Sequence, residues 1–415
     1  MKKILSVILV LAICLALTSC GTSNSLNTQT VNLSKDFKSD LKQYIYYDNH
    51  FVIAQNAFSM RVFDEINKQN PDKNIVFSPI SISSVLGMLA GGADGTTLSE
   101  IENLLADDTE TLSNNIYTFF DSLPSTSKIS NVNSMWIKND EAFKVNNSFL
   151  QYNANFYNAD VFKSPFDKTT VDAINSWVKS ATKGNITEML KEIDNESCMF
   201  LINALTFDAE WNTPYAKESI SDGIFTTPNS TVLAEMMRSN ENFYIKTSNA
   251  EGFIKYYKNG DYAFVALLPD KSLNINDYVS SLKNTSFDAI IKSGREEDVI
   301  ATMPKFENKS DITLNDTLKK LGVNSAFDVS KSDFSKLGTY AGKKIYLSSV
   351  QQKAYISVNE KGTKAGAVTM ANIAGKTSLP LETYHVTLDR PFVYAIVDTK
   401  TSVPLFVGKV LNPNE

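Results

Sequence analysis

Histidine and cysteine are nearly missing from this chain: its 415 residues include two of the first and three of the second. A serine or cysteine hydrolase needs an imidazole base oriented by a carboxylate. Neither His50 nor His385 comes with a nucleophile elbow or another active-site signature, and both are expected as surface or core residues. HExxH and paired CxxC spacings are absent, so no metal, no cofactor and no catalysis is expected. AGKTS at 374–378 has the tail of a phosphate loop, but Met370 stands where its first glycine is required and Pro380 interrupts the helix that should follow. Basic residues form no block; 40 Lys and Arg against 46 Asp and Glu give a net charge of −6 and no footprint for nucleic acid. No linker-like break or internal repeat divides the body. The apolar run Ile4 to Leu17 is too short for a comfortable membrane span.

That run, preceded by Lys2 and Lys3, has the pattern of an export signal. It closes with Leu17-Thr18-Ser19-Cys20, which resembles the lipobox of bacterial lipoproteins. The resemblance implies cleavage before Cys20 and lipidation of its thiol; an ordinary signal with an incidental Cys is the alternative. Residues 1–19 are thus assigned to a signal peptide and 20–45 to the lipidated Cys and a polar tether, GTSNSLNTQTVNLS being low in charge. The expected location is outside the cytoplasm, lipid-anchored at the bacterial cell membrane or cell surface. Losing residues 1–19 removes two lysines and leaves 38 basic against 46 acidic residues, a net charge of −8. With Cys20 spent, Cys198 remains alone, so no intrachain disulfide can form. Cys198 opens the apolar run CMFLINALTF and is expected to act as a small buried hydrophobe.

Apolar residues at threes and fours predict helices over 52–68, 80–90, 98–105, 149–157 and 171–182. Gly91 and Gly92 are expected to stop the second of these, and Thr97-Leu98-Ser99-Glu100 fits a capping box for the third. Strand-like runs lie at 128–137, 198–210, 264–268, 300–306, 354–358, 384–388, 392–398 and 404–410, the last pair forming a hairpin across DTKTS. Helices first and strands later, without regular alternation, give an α+β fold in one domain over 46–415.

One stretch fits neither element. EKGTKAGAVTMANIAGK, Glu360 to Lys376, is too rich in Val, Met and Ile for a plain linker and too rich in glycine for a stable strand. It has the composition of a segment built for two states.

From about Phe51 to Pro413 the chain resembles the serpins along its whole folded length. NIVFSPISISSVLGMLAGGADGTTLSEI, FLINALTFDAEW, MPKF, VNEKGTKAGAVT and DRPFVYAIVDTKTSVPLFVGKVLNP match the family's pattern in its order. The resemblance implies helices packed around a large mixed central sheet, two smaller sheets, and an exposed reactive loop at about 360–380. It also implies that the loop, once cut by a protease, inserts into the large sheet as a new strand.

Residue alternation fits that expectation. From Thr363, one side of an extended chain shows Thr363, Ala365, Ala367, Thr369, Ala371, Ile373 and Gly375, none charged. Lys364 and Lys376 fall together on the other side. A charge-free face is what burial over a packed core requires. The resemblance assigns Glu360, Gly362, Thr363, Ala365, Ala367 and Thr369 to the hinge, with Val368 larger than the usual Ala. It places Trp211 and Lys305 where the sheet opens first, Lys305 pairing with Glu360. Ser78, Ser81 and Asn203 match the polar cluster beneath the sheet's centre, where Gln352 stands in place of the family's usual His. The resemblance also implies a reactive bond seventeen residues along, counting Glu360 as the first, which is Lys376–Thr377. The implied function is suicide inhibition of serine proteases, trypsin-like ones favoured by Lys376, by a monomer; a non-inhibitory serpin-fold binding lipoprotein is the alternative.

Overall fold

In the computed structural model, residues 29–41, 47–124, 128–363 and 383–415 are described. The signal segment, Cys20 and the loop positions Ala365, Ala367, Thr369, Lys376 and Thr377 lie outside them.

The chain opens into helices and closes into sheets. Asp48 caps Asn49–Gln69 by accepting from the His50 N–H. Ser78 caps Pro79–Ala90, with Pro79 at the position where a missing N–H costs nothing, and Gly91 ends the helix. The next helix differs from expectation. It runs Gly95–Leu105 and is capped by Asp94, so Thr97 lies inside it. Thr97 Oγ1 accepts instead from the Asp333 N–H, and Glu100 accepts from the Asn324 and Ser325 N–H groups. The capping box is therefore not used; both side chains are taken by a segment more than 200 residues away. Helix Thr109–Ser122, which the sequence reading left out, carries a cap at Asp108 and a buried stripe of Leu112, Ile116 and Phe119.

The large sheet has seven strands, ordered Val31–Asn32, Asp160–Ser164, Lys128–Lys138, Met199–Glu210, Gly362–Thr363, Ser349–Val358 and Phe306–Thr313. Strands Ile75–Phe77, Pro404–Val410, Phe392–Asp398, Tyr262–Pro269, Ala250–Tyr256 and Tyr244–Lys246 form the second sheet. The third contains Tyr384–Thr387, Val299–Pro304, Thr231–Glu241 and Ile220–Thr226. One core joins the first helices to the facing sides of these sheets, and a smaller cluster of Trp136, Phe162, Phe200 and Ile202 lies under helix Lys168–Ala181 on the large sheet's other side.

Two expectations need correction. The run taken as one strand over 300–306 is split: Val299–Pro304 belongs to the small sheet and Phe306–Thr313 to the large one. Lys305 is the joint, its N–H donating to the Glu235 carbonyl. The second piece alternates buried and exposed, yet two of its inward residues are Asn308 and Ser310, so it does not look apolar. They are admitted because Asn308 Nδ2 donates to the Ile75 carbonyl and the Tyr394 hydroxyl, and Ser310 Oγ accepts from the Val76 N–H. The stretch assigned to the tether also contains structure. Val31 and Asn32 pair with Lys163 and Phe162 as an added edge strand, and Ser34 Oγ accepts from the Val161 N–H. An open sheet edge offers a row of unpaired backbone groups, which an extended backbone can pair whatever its side chains, so a polar stretch serves as well as an apolar one.

Cys198 is buried, as expected of it, and burial raises its thiol above the ordinary value. Lys409 is the less expected interior group. It is fully buried, and Nζ donates to Asn67 Oδ1, the Pro71 carbonyl and Asn276 Oδ1 at 2.7, 2.9 and 2.7 Å. Burial lowers it to about 8. Below that pH the lysine is protonated folded or unfolded, whereas between about 8 and 10.5 only the unfolded chain keeps the proton. Stability should therefore rise with pH across that window, by on the order of 3 kcal/mol. Denaturant melts of wild type and Lys409→Met from pH 7 to 10.5 measure it: the difference between the two should narrow or widen only above pH 8, in favour of wild type.

Candidate functional site

The large sheet contains a seam. Strands Met199–Glu210 and Ser349–Val358 run parallel and are paired from Phe200–Ser349 to Leu205–Ala354. Beyond that they part. After Val358 the chain turns back, and Gly362 and Thr363 wedge between them, opposite Glu210 and Ala209 on one side, with Thr363 opposite Val358 on the other. Both of these pairings are antiparallel. A parallel pair is slightly weaker per residue than an antiparallel one, and here an antiparallel strand has started to separate it.

The turn at the head of the seam is held on all sides. The Trp211 N–H donates to the Lys361 carbonyl at 2.9 Å, its indole Nε1 to the Asn359 carbonyl at 2.8 Å, and the Tyr215 N–H to the Glu360 carbonyl at 2.8 Å. Lys305 Nζ lies 3.1 Å from Glu360 and 3.3 Å from Glu235, so the pair named from the sequence is a triad. The Glu360 carboxyl is held below its ordinary range, first by its own backbone N–H and further by Lys305. Gly362 passes so close to the neighbouring strand that a Cβ there would stand 2.2 Å from the Ala209 carbonyl oxygen; no other residue fits without moving the backbone. Trp211 is stacked on Tyr257 at 4.4 Å between centroids, and the buried Lys255 lies over the Trp211 and Tyr215 rings while pairing with Glu241 at 2.7 Å.

Lower down, a polar cluster crosses the seam. Gln352 and Asn203 are direct partners across it, and Gln352 Nε2 donates to Asn203 Oδ1 at 3.1 Å. The same amide donates to the Ser78 carbonyl at 3.1 Å and accepts from the Ser78 N–H at 2.9 Å. Ser78 Oγ donates to Ser81 Oγ, which donates to Asn131 Oδ1; Asn203 Nδ2 donates to Asn131 and Asn133. Gln352 is 1% exposed, so its amide must be paired, and both of its ends are. The four groups expected in this cluster do come together, and none of the six side chains in it titrates near neutrality.

Glu360, Gly362, Thr363, Trp211 and Lys305 converge at the head of the seam; Ser78, Ser81, Asn203 and Gln352 meet at its middle. Sequence reasoning missed Asn131, Asn133, Tyr257 and Glu235. The asparagines could have been noticed, since two amides alternating with Val132 inside a strand imply a polar patch on one face. Tyr257 and Glu235 gave no local signal.

A family model described as Serpin (serine protease inhibitor) matches residues 53–413. Leukocyte elastase inhibitor A of Mus musculus is 30% identical over 383 residues, covering 87% of this chain and 98% of that protein. The native state of tengpin, a thermophilic serpin, superimposes with a TM-score of 0.87 at 40% identity, covering 92% of this chain and 100% of that one. Human thyroxine-binding globulin complexed with thyroxine gives a TM-score of 0.78 at 26% identity, covering 88% of this chain and 99% of that one.

Proposed function

This chain belongs to the serpin family, and we propose that it acts as a one-use inhibitor of trypsin-like serine proteases, consumed through the Lys376–Thr377 bond. The observation that carries this reading is the started insertion at the head of the seam, with Gly362 and Thr363 already laddered between two parallel strands. Extending their register residue for residue sets Ala365 between Phe207 and Ile356, and Ala367 between Leu205 and Ala354. Thr369 then falls between Asn203 and Gln352, and Ala371 between Leu201 and Val350. Apolar neighbours flank each of the three alanines, and the polar pair Asn203 and Gln352 flanks Thr369.

The protease serine attacks the Lys376 carbonyl, the Thr377 amine leaves, and an ester joins Lys376 to the enzyme. Insertion then competes with attack by water on that ester. Drawing in about thirteen residues at roughly 3.3 Å each moves the attached enzyme on the order of 45 Å and pulls its active site out of shape. Inhibition is kinetic: the loop must enter before the ester is hydrolysed.

The test is an SDS-stable complex with trypsin. Wild type should form one, and Lys376→Ala should lose it while keeping its melting temperature. Equal complex with the variant would move the reactive bond, with Thr377–Ser378 next in line. A non-inhibitory scaffold is the second reading, favoured by the likeness to thyroxine-binding globulin complexed with thyroxine; on it, trypsin only cuts. We also propose that Cys20 anchors the protein to the outer side of a bacterial membrane. Cys20→Ser should move it from the membrane fraction to the soluble one, and unchanged fractionation would remove the anchor.

A further inference from the structure

Thr363 enters the seam with its side chain already engaged. It is fully buried, and Oγ1 lies 2.6 Å from the Tyr257 hydroxyl. Tyr257 belongs to neither strand of the seam; it directly follows strand Ala250–Tyr256 of the second sheet. Its ring is fixed by stacking on Trp211 and by an edge contact to Phe207 at 5.0 Å. Burial raises the phenol well above its ordinary value, so it stays protonated at any working pH. Thr363 is its hydrogen-bond partner among the described residues.

Resting on the inhibitor reading, we infer that Tyr257 is a positioning residue for loop insertion, receiving the Thr363 hydroxyl and so fixing the register of the entering strand. The reason is parity. A slip of one residue turns every side chain of a strand to the opposite face. Here a slip would bring Lys364 and Asn372 over the core and turn Ala365 and Ala367 away from it. Gly362, where no Cβ fits beside the Ala209 carbonyl, opposes that slip from the backbone side. The Tyr257 hydroxyl, waiting in an apolar wall, opposes it from the side-chain side. Only position 363 can bring a second hydroxyl to it without leaving Tyr257 unpaired, which is costly in a buried site. The first rung must form before the rest can follow, so its loss acts on the insertion step that competes with hydrolysis.

The experiment uses Tyr257→Phe, which keeps the stacked ring, and Thr363→Val, which keeps the branched shape. Each is titrated against trypsin for the number of inhibitor molecules consumed per protease trapped. Each is also measured for amide hydrogen exchange across residues 359–363. In both single variants the inhibitor lost to hydrolysis per protease trapped, which is consumption minus one, should rise about five-fold, the equivalent of one net hydrogen bond of about 1 kcal/mol. Exchange at the hinge should quicken in both. The double variant should be no worse than either single, because the two hydroxyls act as one bond. Unchanged consumption and exchange, or single effects that multiply in the double, would overturn the assignment. If Tyr257→Phe fails to fold, Thr363→Val reports on the same bond. A wild-type chain that traps no protease defeats the inhibitor reading itself, while exchange still decides whether Tyr257 anchors the hinge.

Discussion

Cutting the loop between Ala371 and Lys376 with a protease that is not trapped should raise the melting temperature, by about 20 °C. A nick in an ordinary surface loop does the reverse or nothing. Here the freed strand can continue the register begun by Gly362 and Thr363 as far as Ile373, which falls opposite Met199. Roughly ten residues gain ladder bonds on both sides at about 1 kcal/mol net each. Against that stand the parallel bonds between 200–205 and 349–354, which must be given up, and the entropy of ordering the loop. Burial of Ala365, Ala367, Ala371 and Ile373 adds to the gain. At about 2 °C per kcal/mol for a chain of this size, the expected shift corresponds to a net surplus on the order of 10 kcal/mol. The seam's polar cluster also survives, because Thr369 can bridge Asn203 and Gln352 once they are parted. Calorimetry before and after limited proteolysis, with the cut mapped by mass, reads the result. A cleaved form that melts at or below the intact one would mean the loop does not enter, and the scaffold reading would replace the inhibitor.

Thr363→Arg should turn the inhibitor into a substrate, with trapped trypsin reduced at least a hundred-fold and the loop still cut at Lys376. Thr363 has no exposure at all, and its side chain points at the aromatic wall of Tyr257 and Trp211. A guanidinium there would face rings and buried strands, near the Lys255 ammonium that lies over Trp211 and already holds Glu241. Burying it unpaired costs several kcal/mol, so the hinge would be expelled to solvent. Each 1.36 kcal/mol added to the insertion barrier slows that step tenfold while hydrolysis keeps its rate. Gel analysis of the mixture with trypsin separates the outcomes: a cleaved chain with free active protease is expected, and undiminished complex would show that position 363 does not enter the core.

The alternation of small and charged residues after Glu360 was legible without any structure, because side-chain direction in an extended chain follows from sequence spacing alone. So were the helix over 80–90, with Gly91 after Ala90, and the closing hairpin, whose signals lie within a few residues of each other. The Thr97–Glu100 pattern shows the limit of such signals. A capping box competes with any other group that can use the same oxygens, and Asp333, Asn324 and Ser325 won them. The strand Phe306–Thr313 was hidden for a related reason: Asn308 and Ser310 look like surface residues until their buried partners are known.

What the sequence determined by itself was the alternation after Thr363, an uncharged side and a side carrying Lys364 and Lys376, which is a property of neighbours in the chain. What only the tertiary structure decided was the seam that the loop is proposed to enter. The parallel pairing of 200–205 with 349–354, the Gln352 amide on the Ser78 backbone, the Asn131 and Asn133 amides at Asn203, and the Tyr257 hydroxyl at Thr363 join residues up to 274 positions apart. No periodicity encodes such meetings; they follow from which strands share an edge, and that is settled by the free energy of the whole core at once.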